Sequence, residues 1–492
     1  MKNRSAITWI FLLPLLFTAL FYACGDSEST TVTPASGSTI NPGQKIVITF
    51  TETADKDTLE FDGTMFADGI TGTWSKTNKE DDTLTLTPPV AWNSGNLNVD
   101  VKNKDGKAIT QVVLEYTVKI EFDKFQKADV VIGQSNFTNN SFGLSSTKFN
   151  EPYANAGFYK NKLFLPDYSN NRVLIFNEIP TTNGKAANNV IGQNSLNDNL
   201  SGNDVDDIGG PVTVQSYQNK LFVLEYDNSR LLIYNTVPSG NKPEADVVIG
   251  QSDFGMSGTA CTATGLNEPE SFIVVDGKLI IADSGNNRVL IWNQIPTTNG
   301  KAADLVVGQN SFTTCFSNDD NQDGASDANP SQRTLDFPTG VWSDGTKLVI
   351  GDERNNRVLI WNTFPTSNFK KATLVLGQNS FTRNSANDDN QDGTPDATAS
   401  SRTLNDPYVG ITSNGTQLIL TDSDNNRILI WNEFPTKNFA RADVVLGQED
   451  FSDTDDDATS KTFNYPAGLL LVGNQLIVSD VDNHRYLVFN GK

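Results

Sequence analysis

LIIADSGNNRVLIWN, residues 279–293, is one of six near-copies of a single phrase. The others begin at Leu163, Leu221, Leu348, Leu418 and Leu476, so successive starts lie 58, 58, 69, 70 and 58 residues apart. Each copy is two apolar runs around a polar turn, which reads as a β-hairpin. A strand-rich unit at this period predicts a propeller or array.

The full unit holds four strand candidates, illustrated by 340–344, 347–352, 357–362 and 372–378. The fourth ends in Gly-Gln and also occurs six times, first at Gly133-Gln134, ahead of any hairpin. The last unit stops after its third strand, at Asn490. An orphan strand at the start and a missing one at the end are complementary. They predict a six-bladed ring over 123–492 closed by its N-terminal strand, which leaves no open sheet edge. In Arg-Val-Leu-Ile-Trp-Asn both faces are apolar, so the sheet must be covered on both sides. Trp292, Trp361 and Trp431 are expected between blades.

Asp283 and Arg288 flank the hairpin turn and face each other across it. The pairing recurs as Asp167–Arg172, Glu225–Arg230, Asp352–Arg357, Asp422–Arg427 and Asp480–Arg485. The phrase Asp-x-x-Asn-Asn-Arg-Val resembles the NHL repeat in all six units. That resemblance implies a six-bladed propeller that binds or scaffolds more often than it catalyses. Recurrence in every blade marks these pairs as structural.

Ahead of the ring, Lys2 and Arg4 precede an apolar run that ends at Cys24, the layout of an export signal over 1–24. Phe21-Tyr22-Ala23-Cys24 resembles a bacterial lipoprotein cleavage box, which implies lipidation of Cys24; the alternative is an uncleaved anchor helix. Either way the body is expected in the bacterial cell envelope, outside the cytoplasm. A tether over 25–33 leads to alternating short runs at 45–50, 83–88 and 97–103. Residues 34–120 therefore predict a β-sandwich, and they resemble the bacterial Ig-like domains of S-layer and adhesin-type proteins. The fold class is all-β throughout.

The chain has 37 Lys and Arg against 59 Asp and Glu, a net charge of −22, which repels polyanions and argues against nucleic acid. Beyond Cys24, Cys261 and Cys315 form an even pair in an oxidising compartment, on neighbouring loops. They read either as a disulfide or as two buried thiols.

The two longer spacings carry Asp319-x-Asn321-x-Asp323-Gly324-x-x-Asp327 and Asp388-x-Asn390-x-Asp392-Gly393-x-x-Asp396. Oxygen ligands at positions 1, 3, 5 and 9 with Gly at 6 suit Ca²⁺. Both loops resemble those of thrombospondin type 3 repeats and dockerins, although position 12 is Pro330 or Ala399 in place of an acid. An acidic solvated loop is the alternative, but two independent copies with Gly correctly placed favour calcium.

Structural residues recur from blade to blade, and site residues break the pattern. Around the proline that opens each innermost strand, Glu151, Tyr153, Glu268, Glu270, Asp406 and Tyr408 vary and are expected at the mouth of the central channel. They are the candidates for ligand contact, or else ordinary loop residues. His484 is the only histidine, and no Ser/His or Cys/His nucleophile set can form away from it. The expected function is binding or scaffolding: an envelope-anchored propeller meeting a protein or glycan through its loop face. The alternative is a metal-dependent, lactonase-type hydrolase in the channel. Three or four convergent oxygens around a metal-sized gap would favour the enzyme; a scattered, solvated set would favour binding.

Overall fold

The computed structural model describes residues 30–492, save 42, 63–69, 89–91, 93–94 and 110. Cys24 and the export segment lie outside the described residues. Among these, no helix is long and apolar enough to cross a membrane.

The N-terminal part is two four-stranded sheets face to face. One runs Thr31–Thr33, Ile46–Thr49, Thr83–Thr87, Thr71–Ser75; the other Thr39–Ile40, Val112–Val118, Gly95–Asn103, Ala54–Asp62. Val112–Val118 alternates strictly between buried and exposed, and its inward side chains join Ile46, Ile48, Leu84 and Trp92 in one core. That alternation is what a half-covered sheet dictates.

Six further four-stranded sheets follow in chain order as the blades of a propeller. Blade three is typical, with Ser271–Val275, Lys278–Asp283, Arg288–Trp292 and Leu305–Val307 from the innermost strand to the outermost. Blade six takes its outer strand from the start of the ring: Val130–Ile132 pairs with Arg485–Asn490, placing Val131 opposite Leu487. Each of the six third strands Arg172–Phe176, Arg230–Tyr234, Arg288–Trp292, Arg357–Trp361, Arg427–Trp431 and Arg485–Asn490 is buried through its first five residues.

The aromatic in each of those strands sits in a different inter-blade core. Tyr234 lies between blades one and two, Trp292 between two and three, Trp361 between three and four, and Trp431 between four and five. Phe489 fills the gap between five and six, and Phe176 the gap between six and one. Six distinct cores serve six interfaces, and the last holds side chains of both the final blade and the first. Burying each such side chain contributes roughly 1.5–3 kcal/mol.

The polar signature explains why the loops on one face are held so firmly. Asp283 and Arg288 are both wholly buried, with Nε donating to Oδ2 at 2.7 Å. The second Asp283 oxygen accepts the Asn267 N–H at 2.7 Å, while the Arg288 fork reaches the carbonyls of Thr262, Gly265 and Phe312. Both loops that flank the blade are thus tied to one buried pair. The Gly-Gln phrase completes the lock. Gly308 has φ +93°, and a Cβ there would meet the Leu335 side chain at 2.7 Å, so only glycine fits. Gln309 then donates to the carbonyls of Asn287 and Phe316.

In antiparallel blades, the second-to-third-strand turns share a face with the loops between blades. The other turns lie on the opposite face. The N-terminal sandwich docks on that opposite face: Ile120 N–H donates to Gln417 Oε1 at 3.0 Å, and Gln417 Nε2 returns a bond to Ile120 O at 2.8 Å. Gln417 lies in the turn joining the first two strands of blade five. The signature turns therefore point away from the N-terminal sandwich.

Candidate functional site

One backbone device, used in every blade, aims side chains at the channel mouth. The residue before the opening proline has positive φ: Glu151 49°, Glu268 48°, Phe337 53°, Asp406 57° and Tyr465 55°, with Gly210 at 57° in blade two. Non-glycine residues stay in this region only where the surroundings hold them. The hold here is an N–H bond to the preceding blade's signature turn. Asp406 N–H donates to Asn356 Oδ1, Tyr465 N–H to Asn426 Oδ1 and Phe337 N–H to Asn287 Oδ1. Glu268 N–H finds Ser229 Oγ instead, and Glu151 N–H finds His484 Nδ1 at 3.1 Å. His484 thus does the work of the repeat's asparagine.

The six residues anticipated at the mouth are linked to one another and to their neighbours by the following contacts. Tyr408 donates to Glu270 Oε1 at 2.9 Å, and its ring lies 6.1 Å from that of Tyr153. The Glu268 charge acts on Tyr226, and Ser169 donates to Glu151 Oε2 at 2.7 Å. Asp406 accepts from Tyr465 at 2.6 Å. Four residues that sequence reasoning passed over complete the cluster: Tyr168, Tyr226, Glu353 and Tyr465. The rings of Tyr168 and Tyr226 are 6.3 Å apart, and Tyr465 stands 5.6 Å from Tyr408 and 5.8 Å from Tyr153. The signal was present. The residue after the signature acid reads Tyr168, Tyr226, Ser284, Glu353, Ser423 and Val481, which breaks the repeat as sharply as the proline flanks do.

Three carboxylates from different blades lie near enough in this ring of tyrosines for their charges to act on one another. Glu270 opens blade three, Glu353 follows the second strand of blade four, and Asp406 precedes blade five. Glu270 Oε2, Glu353 Oε2 and Asp406 Oδ1 are buried without a donor from any other group. Glu353 and Asp406 also face each other, a contact that one of them can make only as a protonated carboxyl. Burial, with the Glu268 and Asp406 charges adding and the Tyr408 bond opposing, pushes Glu270 up to about 8. Burial first, then the charges of Asp406 and Glu270, takes Glu353 up to about 9. Burial likewise raises Asp406 to about 6. At neutral pH the cluster therefore carries protons that a cation could replace.

Beneath the mouth, contacts span the axis of the ring. The Asn155 side chain donates to Val409 O at 3.3 Å and accepts the Leu469 N–H at 2.8 Å. A Cβ on Gly468 would lie 1.6 Å from Ala154 O, so blades six and one touch main chain to main chain. Above these contacts the tyrosines line the mouth as a cup.

The two acidic loops lie elsewhere on the same face. Asp319 and Asp388 are buried, and their carboxylates accept the N–H groups of Asp323 and Gly324, and of Asp392 and Gly393, respectively. Asn321 and Asn390 each accept the N–H two residues on. Asp327 Oδ2 accepts from Asp320 N–H, and Asp396 Oδ2 from Asp389 N–H. The donor type suits a hard cation. Among the described residues, however, no three His, Cys, Asp or Glu groups stand close enough to hold a metal. Cys261 and Cys315 are joined as a disulfide between the loops entering blades three and four, with Cα atoms 6.4 Å apart.

No protein-family model and no curated protein matches the chain. Among solved structures, it is similar to a Bacteroides thetaiotaomicron protein of unknown function at 13% identity and TM-score 0.45, covering 94% of this chain and 99% of that one. An auxiliary nutrient binding protein from Bacteroides ovatus aligns at 11% identity and TM-score 0.43, covering 94% and 98%. A virginiamycin B lyase from Staphylococcus aureus aligns at 11% and 0.34, covering 88% and 99%. None of these likenesses assigns a ligand or reaction to this chain.

Proposed function

We propose that this chain is a non-catalytic binding protein of the bacterial cell envelope, an NHL-type propeller on an Ig-like stalk. Its mouth face meets a protein or a glycan. One observation supports this above the others: five tyrosines, Tyr153, Tyr168, Tyr226, Tyr408 and Tyr465, stand ring to ring at the mouth beside Glu270, whose Oε2 is buried without a partner. Buried polar groups without partners are costly in a finished fold, and a ligand that pairs them offsets that cost. The stalk attaches to the opposite face, which leaves the mouth free to reach outward. In a pull-down from envelope extract, the full chain is expected to retain a partner that Tyr153→Ala/Tyr408→Ala loses. Equal retention by both would remove the mouth from the account.

Two further elements belong to this reading. Lipidated Cys24 anchors the chain, so Cys24→Ala is expected in the soluble fraction; retention in membranes would favour an anchor helix. Calcium in the loops led by Asp319 and Asp388 stiffens the mouth face. Chelation should then lower the unfolding temperature or speed proteolysis at both loops. An unchanged chain that also binds no Ca²⁺ by calorimetry would end the calcium reading.

The same convergence favours a second reading, a hydrolase in the cup with Glu270 as proton donor. Glu270-dependent turnover of lactone or ester probes would replace the binding reading with this one.

A further inference from the structure

The chemistry of the cup narrows what it can receive, and this step rests on the mouth being the binding face. Glu270 is 3% exposed, yet Oε2 has no donor. Its neighbours are Tyr408 at 2.9 Å and the charges of Glu268 and Asp406. Glu353 faces Glu270, Asp406 and one cation, Arg354. The Arg354 side chain is exposed and turned over the Phe337 ring at 4.2 Å. Asp406 also feels Asp424 and Asp422, and its second oxygen is held by Tyr465. The remaining walls are the rings of Tyr153, Tyr168 and Tyr226.

Glu270 Oε2 has no donor, and the Glu353–Asp406 pair becomes two further acceptors on losing its shared proton; the N–H groups of an ammonium supply what these oxygens would then lack. Aromatic walls favour the same choice, since ring faces attract organic cations. We propose that the cup is a receptor for an ammonium group seated against Glu270, Glu353 and Asp406, with the tyrosines as its walls. The group comes from a lysine side chain of a protein partner or from a free amine.

The full chain in detergent is titrated by calorimetry with spermidine, with an acetylated Gly-Gly-Lys-Gly peptide, and with CaCl₂. Saturable binding of at least one amine probe is expected, weakened tenfold or more by Glu270→Gln or Glu353→Gln. The exposed-loop control Asp456→Asn/Asp457→Asn should bind as wild type, which separates the cup from the chain's general acidity. Affinity should rise between pH 6 and pH 9, as the cluster gives up protons to the buffer. Tighter binding of the peptide names a lysine-bearing partner, and tighter binding of spermidine a free amine. No amine binding, binding that ignores both substitutions, or Ca²⁺ binding that they abolish would overturn the proposal. If the pull-down still depends on Tyr153 and Tyr408 in that event, the mouth stands as the binding face and only the ammonium assignment falls.

Discussion

Replacing Arg288 with methionine is expected to cost about 3–5 kcal/mol, the penalty for leaving one member of a buried ion pair without its partner. The Asp283 carboxylate would be stranded at zero exposure, and the carbonyls of Thr262, Gly265 and Phe312 would lose their donor. Those carbonyls belong to the two loops beside the blade, so the damage reaches the mouth as well as the hairpin. A whole domain is held by only about 5–15 kcal/mol, so the variant should approach unfolding at physiological temperature. The exposed pair Lys185–Glu178 is the contrast: Lys185→Met should stay within about 0.5 kcal/mol. Urea denaturation followed by tryptophan fluorescence reads both. A loss below about 1 kcal/mol for Arg288→Met would mean that the signature is not what ties the loops down.

The second large effect is on pH dependence. Glu270 and Glu353 hold protons in the folded chain up to about 8 and about 9, against an ordinary value of 4.5. Between those limits the folded state binds more protons than the unfolded state, so stability falls as pH rises. The contribution is complete below about pH 4.5 and is lost as pH climbs through the folded-state values. For Glu270 alone it is on the order of 4 kcal/mol. Glu270→Gln and Glu353→Gln should therefore unfold at higher temperature than wild type at pH 9 and show no such gain at pH 5. A wild-type unfolding temperature that is flat from pH 5 to 9, or a gain of equal size at both, would show that these carboxylates ionise freely.

Most of the architecture was legible because repetition exposes it. The Leu279 phrase and its five copies gave the blade count, and the orphan Gly133-Gln134 strand gave the pairing that joins Val130–Ile132 to Arg485–Asn490. Alternation in Val112–Val118 announced a half-covered sheet. The site was half legible. The proline flanks pointed to Glu151, Tyr153, Glu268, Glu270, Asp406 and Tyr408, because a side chain that differs between otherwise equal blades has escaped the packing constraint. Glu353, Tyr168 and Tyr226 hid inside the structural signature itself, one place after an acid whose burial is obligatory. What no linear reading supplies is convergence. Glu270, Glu353 and Asp406 are separated by 83 and 53 residues, and only the closing of the ring brings their charges into one cup. The same holds for the contacts that the Asn155 side chain and the Gly468 backbone make across the ring.

The account stands or falls on those carboxylates being crowded enough to keep their protons. Carbon-13 labelling of glutamate side chains, with the Glu270→Gln spectrum used to assign the Glu270 carboxyl, measures this directly. A resonance with its midpoint near about 8 is expected; a midpoint near the ordinary 4.5 would mean an open, solvated mouth and contradict the site described here.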